Sequence, residues 1–571
     1  MTPPVTTLSA LVDVRAQLQP EDRAFVLLSE RGAEIDRMTF AELAARARQL
    51  ARCLAKRTGQ GDRVALMFLS TLDFVVSFFA CQYAGLVAVP MMVPRRNSLR
   101  DDSTSILNDC GARIVLTNRD LITGPRGCVL DRLRSPRVAL FTVEELLESP
   151  PAAASGDFPS RAADTAFLQY TSGSTSLPKG VVVSQSNIIA NLQMMQRALA
   201  TERTSTFVSW LPLYHDMGLI LAVLNAIYAG ALCVLMSPVT FVQRPLIWLR
   251  AIQDYRAAIA GAPNFGYDHC VDRISKDQIA GLDLSSWRIA FNASEPIRPQ
   301  TVARFTETFA PARFAPAAMF PCYGLAEATL MVTCVRAAGR LSLARMTARQ
   351  KPAEQSASAD RDAQEVVGCG HAFAEEQLAI VDPQARMLLS PGEVGEIWVR
   401  GPNVASGYWN NPAVTEATFH ATLSIGSVDG GWLRTGDLGF VDERGELFIC
   451  GRIKDVIIIR GVNFYPQDIE ATVQQASPAL RRNCTAVFAD ADARGRDAIV
   501  IVQEVERTSR NNADLAAIEA RIREVVIEQH ELPIRDVLLI GPGGVPKTTS
   551  GKIKRNSARA LWRDGAFERL N

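Results

Sequence analysis

The stretch Thr171-Ser-Gly-Ser-Thr-Ser-Leu-Pro-Lys-Gly180 packs hydroxyl side chains, two glycines and one lysine between two apolar runs, Ala166–Tyr170 and Val181–Val183. A strand, a small polar loop and a second strand offer backbone N–H groups and hydroxyls to phosphate oxygens, with a cation at the edge. The P-loop pattern is not met, because Gly173 is not followed by a Gly-Lys-Ser/Thr ending. Taken alone the loop also reads as an ordinary hairpin turn. Glu327 sits among Ala326, Ala328 and Leu330, where a carboxylate needs a cation. His215, in Trp210-Leu-Pro-Leu-Tyr-His-Asp-Met-Gly-Leu219, reads equally as a half-buried structural histidine or as part of a site. Near the other end, Pro546-Lys-Thr-Thr-Ser-Gly-Lys-Ile-Lys-Arg555 is a lysine-bearing loop that could simply be solvated.

The elements that must position these residues alternate strand and helix. Phe25–Leu28, Val64–Met67 and Ile114–Thr117 read as strands. Thr39, with Glu42 three residues on, reads as the N-cap of an amphipathic helix reaching about Arg57. Such an order predicts parallel sheets covered on both faces. Two uncharged runs, Phe74–Val93 and Met217–Ser237, are interrupted by Gly85 and Pro90 and by Gly230, so each is expected as a buried helix turning into a buried strand and not as a transmembrane segment. The fold class expected is α/β: a large N-terminal body of two α/β subdomains plus a β-barrel-like lobe, then a small mobile α+β C-terminal domain. The boundaries are 1–165, 166–365 with a polar insertion at about 335–365, a β-rich lobe over 366–452, a hinge at 453–455, and 456–571.

The chain of 571 residues is too long for one compact domain. Its 61 Lys+Arg against 60 Asp+Glu leave a net charge of +1, which argues against a nucleic-acid footprint. The 11 cysteines are odd in number and never spaced Cys-x-x-Cys, so neither a disulfide framework nor a zinc site is implied and a cytoplasmic setting fits. Met1 to Gln19 has no basic region followed by an apolar core, so no secretory signal is expected.

In order along the chain come Thr-Ser-Gly-Ser-Thr with Pro-Lys-Gly180, Tyr323-Gly-Leu-Ala-Glu327, Thr435-Gly-Asp437, Gly451-Arg-Ile-Lys-Asp455 and Pro546-Lys-Thr-Thr-Ser-Gly-Lys552. This set resembles the adenylate-forming superfamily of acyl-CoA synthetases, luciferases and adenylation domains. Within it the chain is most similar to the fatty acyl-AMP ligases, through Trp210–Leu219, Gly261–Asp268, Tyr323–Thr329 and Gly461–Glu470, and through a Glu327-to-Gly368 stretch longer than an ordinary acyl-CoA synthetase carries.

The resemblance implies that a fatty acid carboxylate attacks the α-phosphate of ATP, with Mg²⁺, to give acyl-adenylate and pyrophosphate. Thr171, Ser172, Gly173, Ser174, Thr175 and Lys179 would embrace the phosphates, and Glu327 would hold the metal. Ala293, Ser294, Glu295, Tyr323, Gly324, Leu325 and Ala326 would frame the adenine; Asp437, Arg452 and Ile449 would meet the ribose. Lys552 would reach the reacting groups, Lys454 would be the hinge, and His215, Met217 and Phe265 would line the acyl tunnel, His215 near the carboxylate. The acceptor implied is the phosphopantetheine thiol of an acyl carrier protein acting in trans. The alternatives are a long-chain acyl-CoA synthetase using free CoA, and a catalytically silent acyl- or nucleotide-binding module. Two departures stand out: the family often has glycine where this chain has Ala293 or Ser294, and Asn463-Phe464 replaces a more usual Asn-His.

Overall fold

The computed structural model describes residues 5–570 apart from 70, 95–102, 125–126, 128–129, 131–132, 134–137, 149–160, 162, 172–177, 336–340, 347–363, 425–429, 460–461, 492–496, 511 and 549–550. Two large sheets form the body. One has six strands, in which Arg63–Met67 lies between Val87–Met91 and Ile114–Thr117, all parallel. Thr165–Thr171 and Lys179–Ser184 close one edge as an antiparallel pair, with Thr171 opposite Lys179. The other has nine strands, with a parallel centre running Leu232–Met236, Thr206–Ser209, Ile259–Gly261, Ile289–Asn292 and Met319–Gly324.

Sheet membership cuts across residue 165. Strand Arg23–Leu28 pairs with Leu232–Met236 in the nine-stranded sheet, whereas Arg63–Met67 belongs to the six-stranded one. The sheet that carries Thr171 and Lys179 takes three of its six strands from the first 120 residues and three from residues 139–184.

Local chemistry explains the helices. Thr39 accepts from the Glu42 N–H while the Glu42 carboxylate accepts from the Thr39 N–H, which starts helix Phe40–Ala55. Helix Leu72–Tyr83 is followed by Gly85 and the buried strand Val87–Met91. Met217–Ala229 is followed by Gly230, at φ +73°, and strand Leu232–Met236. No described helix is long and apolar enough to cross a membrane. Met217–Leu224 winds in wide i→i+5 turns, a form concentrated at functional sites.

The β-rich lobe takes the form of an open antiparallel meander: Gln377–Val381, Gly395–Arg400, Leu433–Val441 and Leu447–Arg452. The C-terminal part has its own apolar core around the sheet Leu480–Ala491, Asp497–Val505 and Ile534–Ile540, covered by helix Leu515–His530 through Ile518, Ile522, Val525 and Val526. Phe464, the residue that departs from Asn-His, packs against that core. The start and end of the polar insertion are more structured than its composition suggests. Leu343–Met346 pairs with Gln364–Val367, and Ala344 and Val366 pack on Leu438, Phe440, Phe448 and Cys450. An alternating ribbon needs only one apolar residue per strand on its inner face.

Candidate active site

A continuous cleft of about 3660 Å³ separates the body from the C-terminal part. On its body wall, Asp437 and Arg452 face each other across adjacent antiparallel strands. Arg452 Nε donates to Asp437 Oδ1 at 2.9 Å and the Tyr323 hydroxyl donates to Oδ2 at 2.8 Å, so both carboxylate oxygens are held. Burial, then the Asp437 charge, pushes the Tyr323 phenol well above its ordinary value; Asp437 likewise holds Arg452 firmly charged. Ile449 lines the same wall.

Glu327 lies in the tight turn after strand Met319–Gly324 and is half-buried. The Tyr408 hydroxyl donates to its Oε1 at 2.8 Å, and the Lys179 ammonium stands 4.8 Å from the Tyr408 ring centroid. Burial lowers the Lys179 pKa, the nearby Lys454 ammonium lowers it further, and Glu327 opposes both. Tyr408 was invisible to motif reading, because a tyrosine in a loop has no local signature. The turn is closed by a strained residue. Thr329 has φ +66° and ψ −62°, and Leu330 N–H donates to Ala328 O at 2.7 Å, which is a γ-turn of the rare hand. The Thr329 hydroxyl donates to Asn403 O at 2.6 Å and holds it. Gly324 is required here, since a Cβ would lie 1.8 Å from Leu330 O. Leu325 and Ala326 line the cleft beside it.

Ala293, Ser294 and Glu295 follow strand Ile289–Asn292 at the cleft. Ser294 has φ +79°, the region that favours glycine, which accounts for the family's glycine in this stretch. Its hydroxyl donates to Met217 Sδ at 2.6 Å, joining this loop to the start of the wide-turned helix. The His215 ring lies 4.8 Å from that of Tyr214 and lines the cleft with Met217. Phe265 packs edge-on to Trp210 at 5.6 Å, and Trp210 stacks on Phe241 at 3.9 Å.

The opposite wall carries Lys552. Its loop is closed by Thr548 N–H donating to Lys552 O at 2.7 Å and Lys552 N–H donating to the Thr548 hydroxyl at 3.0 Å. Arg555 then clamps the loop's exit: it makes two 2.8 Å bonds to the buried Glu470 and one of 2.9 Å to Asp455, within the hinge expected at 453–455. Gly551 approaches the body so closely that a Cβ there would lie 3.5 Å from Phe265 Cε1. Burial lowers the Lys552 pKa, as does Arg452, while Asp216, Asp437 and Glu295 raise it. One ammonium thus feels the charges of Asp216, Glu295, Asp437 and Arg452, with which Lys552 lines the cleft. Ser172, Gly173, Ser174 and Thr175 lie outside the described residues; Thr171 and Lys179 flank them at the cleft.

The AMP-binding enzyme family matches residues 12–409, and residues 454–570 match the AMP domain of the Disco-interacting protein 2-like family. A medium-chain-fatty-acid–[acyl-carrier-protein] ligase of Moorena producens is 38% identical over 99% of this chain and 96% of its own. A long-chain-fatty-acid–AMP ligase of Mycobacterium bovis is 36% identical over 100% of this chain and 99% of its own. The crystal structure of a fatty acyl-adenylate ligase from L. pneumophila, in complex with acyl adenylate and pyrophosphate, superimposes with a TM-score of 0.74 at 35% identity, covering 99% of this chain and 98% of that one. Sequence, fold and cleft agree, and the chain belongs to the AMP-binding enzyme family.

Proposed function

We propose that the protein activates a medium- to long-chain fatty acid with ATP, releasing pyrophosphate, and passes the acyl group from the adenylate to the phosphopantetheine thiol of a separate acyl carrier protein. The observation that carries this reading is that Lys552 lines the same cleft as Asp216, Glu295, Asp437 and Arg452 and feels their charges, with its loop against Phe265. Carboxylate and triphosphate are both anions, so the step needs charge neutralisation and alignment more than proton transfer. Lys552 would bridge the carboxylate and the α-phosphate. Asp437 would accept from the ribose hydroxyls, its geometry set by Tyr323 and Arg452. Lys179 and the hydroxyl loop beginning at Thr171 would take the departing phosphates. Ala293–Glu295 and Tyr323–Ala326 would frame the adenine, with Ile449 packing on the nucleoside.

Among the described residues no group of three or more His, Cys, Asp or Glu is arranged for a metal. Mg²⁺ does not require one, since it is commonly held by one or two carboxylates plus substrate phosphates. Glu327 fits that role, with Oε1 fixed by Tyr408 and its other oxygen outside that bond. Held there by Glu327, the ion would supply positive charge to offset the negative charge that develops on the phosphates.

The acyl tail would pass His215 and Met217 toward Phe265, and each buried methylene would add about 0.8 kcal/mol. Lys454 would act as hinge, withdrawing Lys552 and admitting the thiol. The ribbon that starts and ends the insertion packs in one cluster with Ile453, Val456 and Tyr465 around that hinge, which favours a restrained domain and a carrier over free CoA. A cytoplasmic setting fits cysteines that, where described, are free and buried.

The test follows labelled fatty acid with ATP and Mg²⁺, then adds CoA or holo-carrier protein. Adenylate that survives CoA and loads the carrier is the expected result. Rapid acyl-CoA formation would replace this reading with a synthetase, and no adenylate at any chain length would remove it.

A further inference from the structure

Asn483 lies outside every motif described above, yet it is a residue of the C-terminal part whose side chain reaches the body. It sits where the pairing of Leu480–Ala491 with Asp497–Val505 slips between Leu480 and Thr485. Such a bulge re-aims side chains out of the sheet. Asn483 has φ +57°, a conformation asparagine tolerates better than other side chains. Its N–H is tied to Gln474 Oε1 at 3.0 Å, so the bulge is held from within its own domain.

The amide uses both its faces on the body. Oδ1 accepts from the Arg298 guanidinium, and Nδ2 donates to Asp268 Oδ2 at 3.4 Å. Neither partner is loose. Asp268 is buried and is held by the Thr301 hydroxyl at 3.0 Å and Arg304 at 3.1 Å. Arg298 N–H donates to Asn264 Oδ1 at 3.3 Å, and Asn264 donates in turn to Pro296 O at 2.8 Å. The body side of this contact is therefore continuous with the Ala293–Pro296 loop. On the other side, the next residue, Cys484, lies 3.0 Å from the Lys547 ammonium, at the root of the loop that carries Lys552.

The geometry points to Asn483 as a positioning residue for adenylation: its side-chain amide latches the C-terminal domain onto Arg298 and Asp268 and so sets Lys552 over the cleft. The amide is suited to this because it must accept from a guanidinium and donate to a carboxylate at once. An aspartate would set a second carboxylate against Asp268. A glycine would keep the left-handed backbone and lose both bonds.

The inference rests on the adenylating role proposed for Lys552, and the two are separable by experiment. In Asn483→Gly and in Arg298→Ala, fatty-acid-dependent ATP–pyrophosphate exchange should fall about tenfold, with Asn483→Asp falling further. Carrier loading from supplied acyl-adenylate should stay within about twofold of the parent, because the latch is absent when the domain has turned. Loss of both half-reactions in proportion, or of neither, would overturn the latch. A substrate-independent reading comes from spin labels at Glu307→Cys and Ala520→Cys, both exposed. Asn483→Gly should broaden the interdomain distance, and an unchanged distribution would refute the latch. Absence of exchange in the parent protein would instead strike the fatty-acid reading, leaving the distance measurement to judge Asn483.

Discussion

The two walls of the cleft are built in opposite ways. On the body wall three features are tied by neighbours: Asp437 by Tyr323 and Arg452, Glu327 by Tyr408, and the γ-turn at Thr329 by Asn403. The C-terminal wall brings Lys552 on a loop closed by its own backbone and the Thr548 hydroxyl, and among the described residues it meets the body at Gly551 against Phe265 and at Asn483. A site for a polyanion gains from groups fixed before the ligand arrives, since their reorganisation is then not part of the barrier. On the proposed mechanism Lys552 leaves after the first half-reaction, and a group that leaves cannot be fixed in that way. On the proposed mechanism, preorganisation belongs to the body and timing to the C-terminal domain.

Breaking the C-terminal side should have the largest effect. If, as proposed, the Lys552 ammonium acts on the transition state, Lys552→Ala should lower pyrophosphate exchange by about 10²–10³-fold while nucleotide affinity, followed by calorimetry, changes little. Equal losses in binding and exchange would mean that the lysine holds ground-state nucleotide. A pH profile tests the same ammonium. Burial and Arg452 lower its pKa from the ordinary 10.5. The charged form exists below the pKa, so exchange should fall on the alkaline side earlier than for an ordinary lysine. Asp216→Asn, which removes a carboxylate that raises this pKa, should move that limb further down in pH.

Loosening the fixed wall should cost less. Tyr408→Phe removes one hydrogen bond from Glu327 but keeps the ring beside Lys179, and exchange should drop about fivefold to tenfold. The drop should ease at high Mg²⁺ if the hydroxyl acts by orienting a metal-binding carboxylate. The smallest change lies deeper in the body. Burial raises the Glu376 carboxyl to about 8. A group protonated in the folded chain and ionised in the unfolded one adds stability that is full below about pH 4.5 and is lost as pH rises through about 8. Denaturant unfolding of Glu376→Gln should therefore show a flatter stability profile across that window.

What the sequence alone determined was local. Thr39 and Glu42 announce a helix start because capping is a matter of three neighbouring residues. Gly85 and Gly230 mark helix-to-strand turns because positive φ suits glycine. Tyr323, Glu327, Asp437, Arg452 and Lys552 stood out through compact motifs, and all of them line the cleft. Tertiary structure alone decided what depends on distant chain segments. Strand Arg23–Leu28 joins Leu232–Met236 and not its near neighbour Arg63–Met67, since a buried apolar strand can pair in either sheet. Tyr408 finds Glu327, and Asn483 finds Arg298 and Asp268, through hydrogen bonds whose partners lie far apart along the chain. Such pairings leave no periodicity or spacing to read, because they are set by how whole elements pack and not by the residues next door.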